Sequence, residues 1–330
     1  MAALDASAGE WSKGAVTAME IGAMCYSAMI YADWLKFLRV TGADMSYDDF
    51  VDKYWSRQER GELKIPKGVD LGFLHPKNEQ ERQIKALIDA YDAQQVTKLE
   101  QELFQQTRRL NDAERALKVK ETKKALNEQR IAGNKIEAAK RRLADLRRTE
   151  PEDRDSRIFP QVYAPVMVSE NGRRTLKLMR YGCRPAGKPA SYDKKYPGTY
   201  NARRDNLEGF WKGQFGHSHG IIIVDTFFEN VEIDGKNQVL QFTPDDGEPM
   251  FVACLWSHWS GKGEPDLDSF AMITDEPPPE VSSAGHDRCI INIKPENIDA
   301  WLNPDPTNLE ALYAILDDKA KPHYEHRLAA

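Results

Sequence analysis

No apolar run in the 330-residue sequence approaches the ~20 residues that a membrane-spanning helix needs. The first 23 residues carry Asp5, Glu10 and Glu20 and lack the basic start and apolar core of a secretory signal. Cysteine is scarce: the four residues, at 25, 183, 254 and 289, form no CxxC pair and no even framework. That excludes a disulfide scaffold and fits free thiols in a reduced cytoplasmic setting. There is no glycine-rich phosphate loop and no alternating βαβ pattern, which excludes the common nucleotide-binding folds. A formal net charge of −6 excludes a uniformly basic nucleic-acid binder. A local basic groove is a separate matter, because binding depends on where charge sits. From Asn78 to Glu150 there is no proline and only one glycine, Gly133.

That last absence marks the most distinctive segment. Leu103, Leu110 and Leu117 recur at sevens, supported by Leu99, Ala113, Ile131, Ala138, Leu143 and Leu146. The spacing predicts long helix folded as a coiled-coil-like hairpin. Asn111-Asp112 or Gly133-Asn134 is the expected turn. Residues 79–150 hold 17 Lys/Arg against 13 Asp/Glu, so the remainder of the chain is acidic. These charges are expected to solvate helix faces rather than form a nucleic-acid-binding arm. A hairpin brings its ends together and can sit as an insertion inside another domain.

Residues 25–56 are predicted helical, since Ala28, Tyr31, Leu35 and Leu38 share one face at steps of three and four. From Ile158 onward short apolar runs alternate with turn signals. Strands are expected at 161–168, 175–181, 220–228, 238–242, 250–256, 270–274 and 289–293, with turns at Glu170-Asn171-Gly172, Asp234-Gly235 and Asp246-Gly247. Helices are expected at 295–302 and 308–316. The fold class is α+β: an antiparallel, barrel-like β core with flanking helices and an inserted helical hairpin. The expected divisions are an extension 1–24, a first domain part 25–77, the insert 78–150, and the rest of the domain 151–330.

Four polar spots adjoin apolar strands: Cys25, Asn201-Ala202-Arg203, Glu229 after the run Ile221–Phe228, and His286-Asp287-Arg288. Singly, each suits a bland role: a packed thiol, a strand end, a hydrogen-bonded histidine. Together they could build a cysteine hydrolase, with His286 taking the thiol proton, Asn201 orienting the imidazole and Glu229 handling a second proton. His217-Ser218-His219 lacks further ligands at a metal-like spacing, so no metal and no cofactor is expected.

The order Met24-Cys25, Met179-Arg180-Tyr181-Gly182, Asn201-Ala202-Arg203, Val224–Glu229 and His286-Asp287-Arg288 resembles the SRAP family. These SOS-response-associated peptidase-like proteins crosslink to abasic sites in single-stranded DNA. The runs Phe251–Trp256, Ala271–Thr274, Lys294-Pro295-Glu296 and Ala300-Trp301-Leu302 add to the likeness. It covers Met24–Leu38 and Ile158–Leu302 and treats the helical block as an insertion. The resemblance implies that Cys25 becomes the first residue, by a start at Met24 or by cleavage before Cys25; the alternative is that the extension stays and this chain has lost crosslinking. As first residue, Cys25 would capture the abasic aldehyde with its amine and thiol. It implies proton shuttling by Glu229, acid–base work on the sugar by His286, and positioning of the adduct by Asn201. Arg203 and Arg288 would meet DNA phosphates, with Arg204 and Arg180 as further DNA contacts.

The chain departs from the family at Tyr26-Ser27, where Gly-Arg is usual, and at Arg204-Asp205, Asn230 and Cys289-Ile290. The first change removes the arginine beside the cysteine, for which Arg204, Tyr26 or Trp211-Lys212 are the candidate substitutes. Two rival functions remain at this point. One is a cysteine peptidase using Cys25, His286 and Asn201; the other is a partner-binding scaffold built on the helical insert.

Overall fold

The computed structural model describes residues 27–30, 34–61, 63–233 and 235–329. The chain begins with a short strand, β1 (Ser27–Ile30), then α1 (Trp34–Thr41), β2 (Asp44–Met45), α2 (Tyr47–Arg60) and α3 (Lys67–Leu71). The helix expected over 25–56 is therefore corrected twice: β1 lies at its start, and β2 interrupts it between α1 and α2. Ser27, Ala28 and Ile30 are buried on both faces of the strand. A doubly buried strand has no period-two alternation to distinguish it from buried helix. Pairing with a later strand, not local propensity, sets its conformation.

The inserted hairpin follows as α4 (Glu79–Val119) and α5 (Lys123–Arg147). Asn78 caps α4 by accepting from the Glu81 N–H at 2.8 Å, and Thr122 caps α5 by accepting from the Ala125 N–H at 3.2 Å. The turn is thus Lys120–Thr122, and neither expected turn is used. Asn111-Asp112 lies inside α4, and Gly133 inside α5 faces open space. A glycine there costs only about 1 kcal/mol, too little to break a helix held along its length. Ala125, Ala132, Ile136, Ala139 and Leu143 form the buried seam of α5, at the steps of three, four and seven that keep one helix face.

At about 60 Å, α4 outruns the roughly 38 Å of α5. Its first turns pack on α2 instead, carrying Ile84 and Ile88 into the main core. Polar contacts fix this base. The Arg57 guanidinium bonds both oxygens of Asp70 at 3.1 and 3.0 Å and lies 4.6 Å from the Tyr91 ring of α4. Lys67 donates to the carbonyls of Asp145 and Arg148 at 2.5 and 2.7 Å, where the end of a helix favours a cation.

The remainder is strand-rich: β3 (Arg157–Ile158), β4 (Tyr163–Glu170), β5 (Arg173–Tyr181), α6 (Tyr192–Lys195), β6 (Asn201–Arg203), β7 (His219–Ile233), β8 (Lys236–Pro244), β9 (Met250–Gly261), β10 (Glu264–Asp275), α7 (Pro279–Ser283), β11 (Cys289–Ile290), α8 (Ile298–Leu302), α9 (Leu309–Asp317) and β12 (Tyr324–Leu328). Each strand expected between residues 161 and 293 has a counterpart. The β4–β5 turn places Asn171 and Gly172 at φ 53° and 74°, the left-handed pair that a two-residue hairpin requires.

Strands β10, β5, β4, β7 and β9 close into a ring. The neighbours are antiparallel except at one parallel seam, where Ser269 and Phe270 of β10 face Arg180 and Tyr181 of β5. This is the barrel-like α+β core the sequence predicts, with one parallel closure added. Phe227, Phe242, Phe270, Tyr181 and Trp301 are among its fully buried side chains.

β7 positions the site. Its first half, His219–Val224, pairs with β9 inside the ring. Val224–Phe228 lies along β1, and Phe227–Ile233 lies along β8. The strand therefore leaves the ring midway and joins an outer sheet in the order β3-β1-β7-β8-β12.

Candidate active site

Glu229 sits on β7 one residue past Phe228, the partner of Ser27, and opposite Leu240 of β8. It is fully buried, not the exposed strand end that a glutamate after two phenylalanines usually is. His286 comes from the loop between α7 and β11. Gly285, at φ 99°, makes the turn in a region closed to most side chains. The His286 N–H then donates to the Val281 carbonyl at 3.3 Å.

The two side chains meet. His286 Nε2 lies 3.0 Å from Glu229 Oε2, and both side chains are shut off from solvent. Nδ1 of the ring is 2.8 Å from the Arg288 carbonyl oxygen, so it is assigned as the donor there. A neutral ring of that tautomer presents a lone pair at Nε2. A lone pair and an ionised carboxylate would repel at this distance, so the couple needs a proton between them. Burial pushes His286 below its ordinary value. The Arg288 carbonyl and the Asp287 charge act in the opposite direction.

The remaining predicted residues approach along β10. Asn201 is buried on β6, opposite Met272. The Tyr181 hydroxyl is 3.5 Å from its Oδ1, at the outer limit of a hydrogen bond. Arg203 of β6 and Ile290 of β11 both face Thr274 of β10. This brings Arg203 and Arg288 onto one carboxylate. Arg203 forks onto Asp205 at 3.1 and 2.6 Å, and Arg288 reaches the same group at 3.7 Å. The Arg203 contact holds the Asp205 carboxyl below the usual range.

Two further arginines hold other carboxylates. Arg204 bonds Asp275 at 3.0 Å and also holds Asp317. Arg180 is buried, bonding Asp193 at 2.8 Å and the Gly182 carbonyl at 3.0 Å. An open cleft of about 1160 Å³ runs beside the site, lined by Arg204, Asp205, Arg288, Cys289, Lys319 and Tyr324 among others.

Cys25 lies outside the described residues, as do Met24 and Tyr26. Ser27, two positions further on, is buried beside Phe228. The three other cysteines are buried and free. Burial pushes the Cys183 thiol up to about 12 and the Cys254 and Cys289 thiols well above their ordinary value. His219 is also structural: it stacks on Phe215, packs tilted against Trp301, accepts from the Gly216 N–H at 2.9 Å and contacts the Trp301 carbonyl at 3.0 Å. Trp211 is a core residue and Lys212 is exposed. One residue the sequence did not single out stands against Ser27, namely Arg157 of β3. No motif signals it, because it becomes notable only through the pairing of β3 with β1.

Fold and site together define an α+β strand ring with an interior carboxylate–imidazole couple. The family model described as SOS response associated peptidase (SRAP) matches residues 119–328, well over half of the chain, and the chain belongs to that family. The matched span starts after Cys25. A crystal structure of a protein from Bordetella bronchiseptica is similar at 19% identity, covering 53% of this chain and 87% of that one, with a TM-score of 0.45. A protein from Bacteroides thetaiotaomicron is similar at 15% identity over 51% and 74%, with a TM-score of 0.43. A phage-related protein from Bordetella bronchiseptica is similar at 19% identity over 53% and 81%, with a TM-score of 0.42. No curated protein matches the sequence. Among the described residues no helix is long and apolar enough to cross a membrane.

Proposed function

We propose that the protein captures abasic sites in single-stranded DNA as a covalent adduct on Cys25. The observation that carries this reading is the buried Glu229–His286 couple, placed one residue past the point where β1 begins. Cys25 is two residues before Ser27, and two peptide links span at most about 7 Å. Ser27 itself pairs with Phe228, the residue before Glu229. The cysteine is thus tethered to the neighbourhood of the couple. The other three thiols are held protonated by burial, which leaves Cys25 as the nucleophile.

The reaction requires a free α-amine on Cys25. An opened abasic sugar presents an aldehyde. The amine adds to it and one water leaves, giving an imine. The thiol then adds across the C=N bond, sulfur to carbon and proton to nitrogen, closing a five-membered thiazolidine. An α-amine with a pKa near 7.7–8.0 is partly neutral at pH 7, unlike lysine. The second step is intramolecular and gains from proximity. The shared proton of the Glu229–His286 couple supplies the acid that expels water and the base that takes protons back. Asn201 and the Arg203–Arg288 pair are proposed to hold the sugar and its phosphates.

The peptidase triad of Cys25, His286 and Asn201 is less well supported. His286 Nδ1 is held by the Arg288 carbonyl, and Nε2, the nitrogen left to take a thiol proton, faces the Glu229 carboxylate at 3.0 Å. The test is a single-stranded oligonucleotide with one abasic site, mixed with protein and run on a denaturing gel. A heat-stable shifted band, lost in Cys25→Ser, supports the reading. Absence of any band from protein whose mature terminus is Cys25 refutes it.

A further inference from the structure

We propose that Arg157 is a phosphate contact for the single-stranded DNA at the mouth of this site, a role no motif in the sequence assigns to it. The proposal rests on the DNA reading above.

Arg157 sits on β3 opposite Met29 of β1. Residues two apart share a strand face, so its side chain can lean back onto Ser27. Its Nε and one terminal nitrogen donate to Ser27 Oγ at 3.2 and 3.1 Å. The guanidinium lies 3.7 Å over the Phe228 ring and 5.0 Å from the Phe159 ring. Phe228 is the buried neighbour of Glu229, and Phe159 is exposed. The fork is therefore within cation–π reach of an interior and a surface aromatic, with its other N–H groups left to bond something else.

What that partner is follows from charge. Among the described residues, every other buried or half-buried arginine holds a carboxylate, from Arg57 on Asp70 to Arg288 on Asp205. Arg157 has none. Desolvation is the one influence on it, and it lowers the guanidinium below its ordinary value. A half-buried cation without an anion is costly, and the simplest compensation is an anion that arrives with the substrate. A planar fork bonded to Ser27, which is two residues along the chain from Cys25, suits a DNA phosphate flanking the captured sugar. In space it also supplies the cation that is missing where Ser27 follows Tyr26.

The experiment measures binding without chemistry. A fluorescent single strand carrying a tetrahydrofuran, which has no aldehyde, is titrated with wild-type protein, R157Q and R157K over a salt series. R157Q is expected to bind on the order of tenfold more weakly. Its log K against log salt slope should fall by about 0.7, the value of one single-strand phosphate contact. R157K keeps the charge and should keep the slope. R157Q should still form the adduct on abasic DNA at saturating concentration. An unchanged slope in R157Q overturns the proposal, as does adduct loss at saturation with binding intact, which would make Arg157 a mere support for β1. Should R157Q fail to fold, a slope lowered in R157K overturns it equally. Failure of the wild-type protein to bind the strand at all would instead count against the DNA reading itself.

Discussion

His286 Nε2 and Glu229 Oε2 lie 3.0 Å apart in a space closed to water, one residue beyond the point where the first described strand meets β7. A bare lone pair facing a bare carboxylate at that distance is repulsive, so the pair is expected to carry at least one proton.

Glu229→Gln keeps the shape of the side chain and removes its acid–base capacity. The rate of adduct formation should fall by about 10²–10⁴-fold, the usual worth of a positioned proton-transfer group. Binding to tetrahydrofuran-containing DNA should stay within about twofold. Single-turnover gels and anisotropy separate the two. A binding defect equal to the rate defect would show that Glu229 positions DNA.

The fold should carry an acid-sensitive element at His219. Burial lowers its pKa from 6.5 to about 3, so the unfolded chain binds the extra proton between these values. Stability from this group is complete above pH 6.5 and is lost as pH falls towards 3. Between pH 6.5 and 5 the loss is about 2 kcal/mol at ~1.4 kcal/mol per unit. Urea melts of wild type and His219→Gln over this range check it: the wild-type curve should fall more steeply, and parallel curves would contradict the account.

Native protein should take up one equivalent of iodoacetamide at pH 7.5, on Cys25. Cys183, Cys254 and Cys289 are buried with raised thiol pKa values and should react only after unfolding. Peptide mapping of the label before and after urea tests this.

The tip of the hairpin should be dispensable for chemistry. Ile84 and Ile88 belong to the main core, so removing all of 79–149 would damage the domain. Replacing residues 105–132 with a short glycine-rich link leaves the base intact. The shortened protein should form adduct within about twofold of wild type and melt within a few degrees of it. Loss of adduct with the fold preserved would favour the hairpin as the working part.

The sequence made the hairpin and the strands after residue 161 legible, because each rests on a local pattern; it named Glu229 and His286 separately, and their 3.0 Å contact comes only from the fold. It misread β1, since Ser27–Ile30 is buried on both faces and owes its shape to β7. It misplaced the hairpin turn, since the Thr122 cap is a weaker written signal than Gly133 or Asn111-Asp112. It left Arg157 unseen, because a cation without an acid is a fact of three dimensions. The inward turn of Arg180 was hidden for the same reason: Asp193, its partner, lies across an irregular segment.

The account stands or falls on the atom that bears the DNA. Adduct made on a single strand with one abasic site, digested and analysed by mass spectrometry, locates it. The prediction is a peptide beginning at Cys25, carrying the sugar remnant with the loss of one water, with no free thiol and no hydrogen uptake on borohydride treatment. A remnant on a lysine, on Cys183, Cys254 or Cys289, or on Cys25 still joined to Met24 would contradict it.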